Sequence, residues 1–414
     1  MTKITRFFLP MVLFLLAGCV QTSNEAATAP ECEKEQITDS RDLPENIPGE
    51  TMGQKLESLL FWNQDERERR FRIMHSIYPS LPVEAGENIY EFDDSAEKID
   101  PVWRNGKTLK SYIKKNKLAG AIVIQDGEVK LEGYGLGANQ NSLWTSYSVA
   151  KSISSMLVGV ALKDGHIDSM DDTLGKYITE LDGYDYGDVT VRQLLTMTSG
   201  IKWNEDYTDP NSDVAVMYQA ECEGDEAHIL TYMKSLEQIH EPGTIWNYST
   251  GETDLVGILI HKATGMSVAE YLSEKVWKPF GMQQCGYWLA DECSNMNIGG
   301  SGLSASLRDY ARLGVLMLNG GVIDGESIFA DEWLEGATSI LYKYDEKSEG
   351  GYGYLWWVNG DGSYSAEGIF GQMIHVDPSR NLVIAQSAAW PLAGSEDLSS
   401  SRGAFIDAVK AALD

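Results

Sequence analysis

Basic residues are scarce in this chain of 414 residues. Lysine and arginine number 33 against 62 aspartates and glutamates, which gives a formal net charge of −29. Nucleic-acid binding needs basic patches that neutralise phosphates, so the composition predicts that nucleic acid is not a partner. It also argues against electrostatic attraction to anionic lipid, and the acidic excess favours solubility.

Metal-ligand spacings are missing as well. The chain has six histidines and five cysteines but no CxxC or HExxH pattern, and we predict neither a metal nor an organic cofactor. In an exported protein, cysteines meet oxidising conditions that permit disulfides. Cys32, Cys222, Cys285 and Cys293 allow three pairings, which the sequence leaves open. Cys285 and Cys293 are close enough in sequence to close a small loop.

Long apolar runs are confined to the N-terminus. Beyond it, no stretch has the roughly 20 apolar residues that span a bilayer. Lys3 and Arg6 precede an apolar run from Phe7 to Leu16, and small residues follow. This order of charge, apolar run and small residues predicts a signal peptide over residues 1–18.

The signal ends in Leu16-Ala17-Gly18-Cys19, which resembles the lipobox of bacterial lipoproteins. The resemblance implies cleavage before Cys19 and attachment of lipid to that cysteine, so the membrane would be reached through an N-terminal lipid anchor. Val20 is not aspartate, so in a cell with an outer membrane the resemblance favours that membrane, with the protein facing the periplasm. The alternative is an ordinary signal peptide with a chance cysteine.

The remaining chain divides into three parts. Residues 19–50 are polar and predict a flexible tether. Residues 51–104 are interpreted as an N-terminal arm that packs on the main domain or covers it. The main domain takes in residues 105–414, with an inserted, mostly helical region at about 155–310.

Both ends of the main domain predict strands. The segment "AGAIVIQDGEVKLEGYGLG" indicates a hairpin that turns at Asp126-Gly127. Late segments such as "GQMIHVDP" and "NLVIAQSAAW" indicate further strands, and "RGAFIDAVKAALD" indicates a closing amphipathic helix. The predicted fold is therefore α/β, of the α+β sandwich type: an antiparallel sheet built from both chain ends and flanked by helices.

Three SxxK tetrapeptides occur, at Ser95–Lys98, Ser111–Lys114 and Ser148–Lys151. The first lies in an acidic stretch, and the second lies on a helix crowded with lysines that are expected to be solvated. Only the third opens a continuous apolar helix, predicted from Val149 through Leu162. A helix this apolar is typical of the protein interior.

The third tetrapeptide carries the candidate chemistry. Helical spacing puts Ser148, Lys151, Ser152 and Ser155 on one face. Burial disfavours charged lysine, so the pKa of Lys151 should fall until it can act as a base near neutral pH. Ser148, at the helix N-terminus, would be the nucleophile that this base activates. The alternative is a structural lysine that pairs with a buried carboxylate or reaches water.

Four ordered segments carry a family resemblance. They are "SYSVAKS", "LLTMTSGIKWNEDYTDPNSD", "HEPGTIWNYSTGETDLVGILIHKATG" and "SAEGIFGQMIHVDPSRNLVIAQSA". Together they resemble the penicillin-recognising serine hydrolases over roughly residues 105–412. The likeness is greatest to the class C β-lactamase-like branch, which includes 6-aminohexanoate-dimer hydrolase and related carboxylesterases.

The resemblance implies roles for particular residues. Ser148 would attack the carbonyl and form an acyl-enzyme, and Lys151 would accept its proton. Tyr248 would relay a proton to the leaving group. The oxyanion hole would consist of the backbone N–H groups of Ser148 and of Ile369, the residue after Gly368, which is also implied in substrate binding.

Tyr207 matches a tyrosine that contacts substrate in the nylon-oligomer hydrolases, although a packed loop aromatic is an equal alternative. Two motifs depart from the family pattern. The second motif often ends in asparagine, and here it ends in Thr250. The third motif usually begins with lysine or histidine, and here it reads Ala366-Glu367-Gly368. Loss of that cation, with Glu367 in its place, favours a neutral ester or amide over a penicillin or peptide terminus.

The sequence thus predicts an exported serine hydrolase that acts on a small ester or amide through an acyl-enzyme. Two alternatives remain open. One is a β-lactamase or DD-peptidase that acts on β-lactams or peptidoglycan peptides. The other is a non-catalytic envelope binding protein with the same fold. The sequence leaves the substrate and the oligomeric state undetermined.

Overall fold

The computed structural model describes residues 32–34, 36–37, 59–104, 106–218, 226–344 and 347–414. The predicted signal peptide, Cys19 and Cys222 lie outside these residues, as does most of the predicted tether. Within the parts of the chain that the structure describes, no helix combines the length and apolarity needed to cross a bilayer.

Thirteen strands are assigned in the described residues. They are β1 Ser80–Val83, β2 Leu118–Gln125, β3 Glu128–Tyr134, β4 Leu143–Thr145, β5 Gly286–Leu289, β6 Leu303–Ser306, β7 Val322–Ile323, β8 Glu326–Ser327, β9 Gly351–Tyr352, β10 Trp357–Val358, β11 Tyr364–Gly368, β12 Gln372–Asp377 and β13 Leu382–Ala388.

The α-helices of the described residues are α1 Gln64–Arg70, α2 Met74–Ile77, α3 Leu109–Lys115, α4 Val149–Lys163, α5 Val191–Leu195, α6 Asp213–Val216, α7 His228–Lys234, α8 Thr250–Thr264, α9 Val268–Leu272, α10 Lys278–Phe280, α11 Leu307–Leu318, α12 Asp331–Ala337 and α13 Glu396–Leu413. Short 3₁₀ turns connect several of them, and one of these, Ile369–Gly371, follows β11 directly.

A seven-stranded sheet forms the centre of the domain, in the order β3-β2-β13-β12-β11-β10-β9. Every neighbouring pair in it is antiparallel. The predicted hairpin is confirmed, since Gln125 pairs with Glu128 across the Asp126-Gly127 turn. Because β2 and β3 come from the start of the domain and β9 to β13 from its end, the predicted sheet from both chain ends is confirmed.

Side chains that alternate along the central strands belong to two separate hydrophobic cores. Along β2, Ile122 and Ile124 belong to the core that includes α4 and α11, whereas Ala121 and Val123 belong to the core that includes α3 and α13. Successive strand residues point to opposite faces, so each face is covered by its own pair of helices. Tyr112 of α3 stacks on Phe405 of α13 with ring centroids 4.0 Å apart. The result is the predicted sandwich.

A second sheet of four strands lies beside the first, in the order β1-β5-β6-β4. Its edge strand β1 comes from the predicted N-terminal arm and pairs with β5. A disulfide joins Cys32 to Cys285, which corrects the suggestion that Cys285 and Cys293 close a small loop. The predicted tether is therefore joined covalently to the folded domain at Cys32.

Candidate active site

Ser148 occupies the N-cap position of α4, at a tight turn after β4. The preceding residue, Tyr147, has a φ of 44°, a conformation that costs energy for a bulky side chain. Packing holds it there, because the Tyr147 ring lies 5.0 Å from Phe71 and 5.2 Å from Phe370. This turn directs Ser148 toward the cleft, where 8% of the residue is exposed.

Lys151 lies one turn into α4 and is 1% exposed. Its Nζ is 3.2 Å from Ser148 Oγ, 2.9 Å from Thr250 Oγ1 and 2.9 Å from the Gly300 carbonyl oxygen. These hydrogen-bond partners are all neutral, so the alternative of a lysine paired with a buried carboxylate is wrong. Two acceptors fix the amine, and its remaining direction points at the serine hydroxyl.

Burial lowers the pKa of Lys151 to about 8, and the negative charges of Glu205 and Asp254 partly offset that effect. A neutral amine is consequently available close to neutral pH, where an ordinary lysine is almost fully protonated. A base with this pKa within hydrogen-bond distance of a serine hydroxyl can accept its proton during attack on a carbonyl.

Tyr248 lies two residues before α8 and faces the same serine. Its ring centroid is 5.4 Å from Lys151 Nζ, and the ring stacks on Trp357 with a centroid separation of 5.8 Å. Burial raises the pKa of Tyr248 well above its usual range, the charge of Glu205 raises it further, and hydrogen bonding with Ser148 opposes both. The phenol therefore stays protonated at neutral pH, the form that can give a proton to a leaving group.

Gly368, at the end of β11, lies against the turn that carries Ser148. A Cβ atom at Gly368 would lie 2.6 Å from the Ser146 carbonyl oxygen and 3.1 Å from the Ser148 nitrogen. The next residue, Ile369, lines the cleft together with Ser148. Among the described residues, neither the Ser148 nor the Ile369 N–H group has a hydrogen-bond acceptor. Two free donors at a serine nucleophile suit a developing oxyanion.

Phe370 explains how the two N–H groups come together. Like Tyr147, it has a left-handed backbone, with a φ of 59°. The two aromatic rings contact each other, and each belongs to a residue adjacent to one of the donors. The predicted oxyanion-hole residues are thus brought to one place by a contact between segments that are more than 200 residues apart.

Tyr207 also lines the cleft beside Ser148. Its hydroxyl donates a 2.7 Å hydrogen bond to Glu205 Oε1. The position is compatible with both alternatives that the sequence left open, because the ring packs against its neighbours and still borders the space above the nucleophile. Contact with substrate stays a prediction for this residue.

The other two SxxK tetrapeptides form no such site. Ser95 Oγ donates to Asp93 Oδ1 at 2.6 Å, and Lys98 Nζ donates to the carbonyl oxygens of Asp94 and Val129. Lys114 is exposed on α3. Their spacing matches that of Ser148–Lys151, but both lysines are exposed, whereas Lys151 is buried.

Comparison with known proteins gives the family. The Beta-lactamase family profile matches residues 107–391, which is more than half of the chain. The chain belongs to this family. A curated relative, the 6-aminohexanoate-dimer hydrolase of Paenarthrobacter ureafaciens, is 26% identical over 370 residues, which cover 84% of this chain and 91% of the relative.

Solved structures agree with the assignment. A Bacillus anthracis protein provisionally named 6-aminohexanoate-dimer hydrolase superposes with a TM-score of 0.72 at 25% identity, covering 83% of this chain and 93% of its own. A family VIII carboxylesterase has the same fold, with a TM-score of 0.55 at 18% identity and coverage of 73% of this chain and 95% of its own. The predicted family is confirmed, and the protein is a serine hydrolase of the Beta-lactamase family.

Glu205 is a site residue that the sequence did not indicate. Its carboxylate accepts hydrogen bonds from the Thr250 backbone N–H at 3.0 Å and from the Thr250 hydroxyl. Because the Thr250 hydroxyl donates its hydrogen bond to Glu205, the Thr250 oxygen can accept a hydrogen bond from Lys151. The hydroxyl of Thr250, the residue at which the second motif departs from the family pattern, is thus oriented by Glu205.

The third-motif region also differs from expectation. The sequence predicts loss of the usual cation at the third motif, with Glu367 in its place, but Arg402 of α13 forms an ion pair with Glu367. The Glu367 side chain is 35% exposed and the Arg402 side chain 10% exposed. A cation therefore does stand near the third motif of this Beta-lactamase family member, supplied from the C-terminal helix and already paired.

One cluster has the residue types of a metal site. His228, Asp291 and Cys293 have ligand atoms within 4.8 Å of one another. Cys293 is disulfide-bonded, however, and a cysteine binds a metal ion only as the free thiolate. His228 Nδ1 lies 2.7 Å from Asp291 Oδ2, which raises the pKa of His228 and favours an imidazolium–carboxylate pair. We interpret this cluster as structural.

The Lys151 site predicts a specific pH dependence. Hydrolysis of an uncharged ester should rise with pH and level off above an apparent pKa of about 8, because only the neutral amine can accept the serine proton. Glu205→Gln removes a charge that raises this pKa, so its midpoint should move to lower pH, while the plateau of kcat/KM falls by about tenfold.

The matched control is Asp206→Asn, which removes an exposed carboxylate next in sequence. Its pH midpoint and plateau should remain those of the wild type. A Glu205→Gln enzyme whose midpoint stays in place, or moves to higher pH, would show that Glu205 does not act on Lys151. The measurement is the pH profile of kcat/KM with p-nitrophenyl acetate, corrected for uncatalysed hydrolysis.

Proposed function

We propose that the protein hydrolyses a small ester or amide through an acyl-enzyme on Ser148. The observation that carries the proposal is the 3.2 Å approach of Lys151 Nζ to Ser148 Oγ, inside a site that lowers the pKa of the amine to about 8. A buried lysine held by neutral partners and aimed at a serine fits a general base better than a structural cation.

Acylation follows from this geometry. Ser148 Oγ bonds to the substrate carbonyl carbon as its proton passes to Lys151 Nζ, and the carbonyl oxygen takes the negative charge. The N–H groups of Ser148 and Ile369 stabilise that charge. When the bond to the leaving group breaks, Tyr248 gives the leaving oxygen or nitrogen a proton and recovers one from the Lys151 ammonium.

Deacylation repeats the steps with water in place of serine. The water oxygen bonds to the acyl carbon, the bond to Ser148 Oγ breaks, and the Lys151–Tyr248 pair carries the water proton to the serine oxygen. The products are the free acid, the released alcohol or amine, and the starting enzyme. All of these steps use side chains and backbone groups of this chain.

A trapping experiment tests the proposal. The protein is incubated with p-nitrophenyl acetate or a fluorophosphonate, quenched in acid, digested and analysed by mass spectrometry. We expect one adduct, on the peptide that carries Ser148. An adduct on a different serine would refute the assignment. Failure of every acylating probe to react would favour the non-catalytic binding protein.

The paired cation Arg402 gives the β-lactam alternative one observation in its favour, since a penicillin carboxylate needs such a group. Glu367 already occupies it, so we rank ester or amide hydrolysis first. Comparing the turnover of nitrocefin with that of p-nitrophenyl acetate decides between the two. A kcat/KM for nitrocefin above that for the ester would reverse the ranking.

We also propose that the protein is an exported lipoprotein, held in the outer membrane through lipid on Cys19 and facing the periplasm. The support is the order of residues at the N-terminus, from Lys3 to Cys19. Replacement of Cys19 by serine should move the protein from the detergent-extracted membrane fraction to the soluble fraction. Retention of the variant in the membrane fraction would exclude this anchor.

A further inference from the structure

Two clefts meet at Ser148. Ser148, Tyr207 and Ile369 line both of them, so a bound substrate would extend into both from the reacting carbonyl. The first cleft extends toward the N-terminal arm and α6. The second extends toward α13.

The position of Tyr248 distinguishes the clefts chemically. Tyr248 lines the second cleft, together with Trp357, Glu367 and Arg402, and is not part of the first. In the proposed reaction Tyr248 delivers a proton to the leaving group, so the leaving group must lie in the second cleft. The acyl group, on the other side of the carbonyl, then occupies the first cleft.

The first cleft is apolar. Leu60 and Met74 come from the arm, Val214 and Met217 from the segment around α6, and Ile298 from the loop before β6. None of the described side chains that line this cleft carries a charge. Transfer of an unpaired ammonium or carboxylate into such surroundings costs a large desolvation free energy, which apolar contacts do not offset.

We propose, on the basis of the function above, that the first cleft is an acyl-binding site for uncharged apolar acyl groups, built in part by the N-terminal arm. The preferred substrates are esters or amides of aliphatic acids. An acyl group that ends in an ammonium or a carboxylate is rejected there. The leaving group, which meets the Glu367–Arg402 pair, tolerates charge.

Two carboxylates lie close behind the side chains that line the first cleft, and each already accepts hydrogen bonds from protein groups. Asp254 accepts from the Tyr218 hydroxyl and from the Gly300 N–H, and Glu205 accepts from Tyr207 and Thr250. These hydrogen bonds stand between the carboxylates and the cleft. An acyl ammonium would have to displace them to gain a direct partner.

The test compares acyl groups on one leaving group. Acetyl, butanoyl, hexanoyl and 6-aminohexanoyl esters of p-nitrophenol are hydrolysed under first-order conditions. We expect kcat/KM to rise by about fourfold for each methylene until the cleft is filled, because each buried methylene adds a constant increment of binding. Hexanoyl should exceed 6-aminohexanoyl by at least about tenfold.

One substitution should change this selectivity. Leu60→Glu places a carboxylate at the cleft wall and should lower the ratio of hexanoyl to 6-aminohexanoyl hydrolysis by at least about tenfold. The matched control is Phe61→Glu, since Phe61 is the adjacent residue, is 46% exposed and does not line the cleft. Its ratio should equal that of the wild type. Circular dichroism verifies that both variants are folded.

The outcomes are distinguishable. Absence of both ester hydrolysis and a Ser148 adduct would defeat the proposed function itself. Hydrolysis through Ser148 with equal rates for hexanoyl and 6-aminohexanoyl would overturn only the acyl-site proposal. If Leu60→Glu leaves the ratio of hexanoyl to 6-aminohexanoyl hydrolysis at the wild-type value, the acyl group does not lie in the first cleft and the proposal is wrong.

Discussion

Lys151→Met should lower kcat for ester hydrolysis by at least about 10³-fold, and Ser148→Ala should lower it at least as much. Methionine has nearly the shape of a neutral lysine, so the variant removes the proton acceptor while keeping the packing of α4. Without a base 3.2 Å away, the serine hydroxyl is a weak nucleophile.

The double variant should be no slower than the slower single variant, because both residues serve one step and their effects are not additive. Lys163→Met is the control, since Lys163 lies on the same helix but is exposed. It should retain activity within about twofold. A Lys151→Met enzyme with more than a tenth of the wild-type kcat would remove Lys151 from the mechanism. Burst and steady-state measurements with p-nitrophenyl acetate supply the rates.

Gly368→Ala should lower kcat by about 10²-fold with little change in KM. The backbone of Gly368 has a φ of −131°, which alanine adopts freely, so the effect is steric. The new methyl group would lie 2.6 Å from the Ser146 carbonyl oxygen, and β11 must move away from the serine turn. That movement separates the Ser148 and Ile369 N–H groups, which act together only in the transition state.

Gly403→Ala is the matched substitution, because a Cβ atom there meets nothing within 4 Å. It should leave kcat unchanged and slightly stabilise α13, since alanine is the better helix former. The acyl-trapping reaction separates the two effects in Gly368→Ala: the adduct should still map to Ser148 but form more slowly. A kcat within a factor of three of wild type would argue against an oxyanion hole at this position.

Local pattern explains why the sequence predicted the centre of the site. Ser148 and Lys151 are one helical turn apart, and the apolar run after them marks that helix as buried, so their contact follows from helix geometry. The Asp126-Gly127 turn is similarly local. The family resemblance of their motifs predicts Tyr248 and Gly368, and the structure places both beside Ser148.

Glu205 and Arg402 could not be predicted in this way. Glu205 acts on Thr250, 45 positions later, and its exposed neighbour Asp206 is acidic as well. Arg402 lies on an amphipathic helix whose charged residues are expected to face water. Each is identified by a tertiary contact, and a period of 3.6 or 2 residues carries no information about such contacts. The disulfide partner of Cys285 was undetermined for the same reason.

Leu60 and Arg402 share a position in the chain that bears on how substrate preference differs among relatives. Both lie outside the family match at residues 107–391, whereas Ser148, Lys151, Tyr248 and Gly368 lie inside it. In our proposal the reaction belongs to the shared domain, and the choice of acid and alcohol belongs partly to the flanks. Exchange of the flanking segments between relatives should therefore transfer substrate preference while the nucleophile and its base stay untouched.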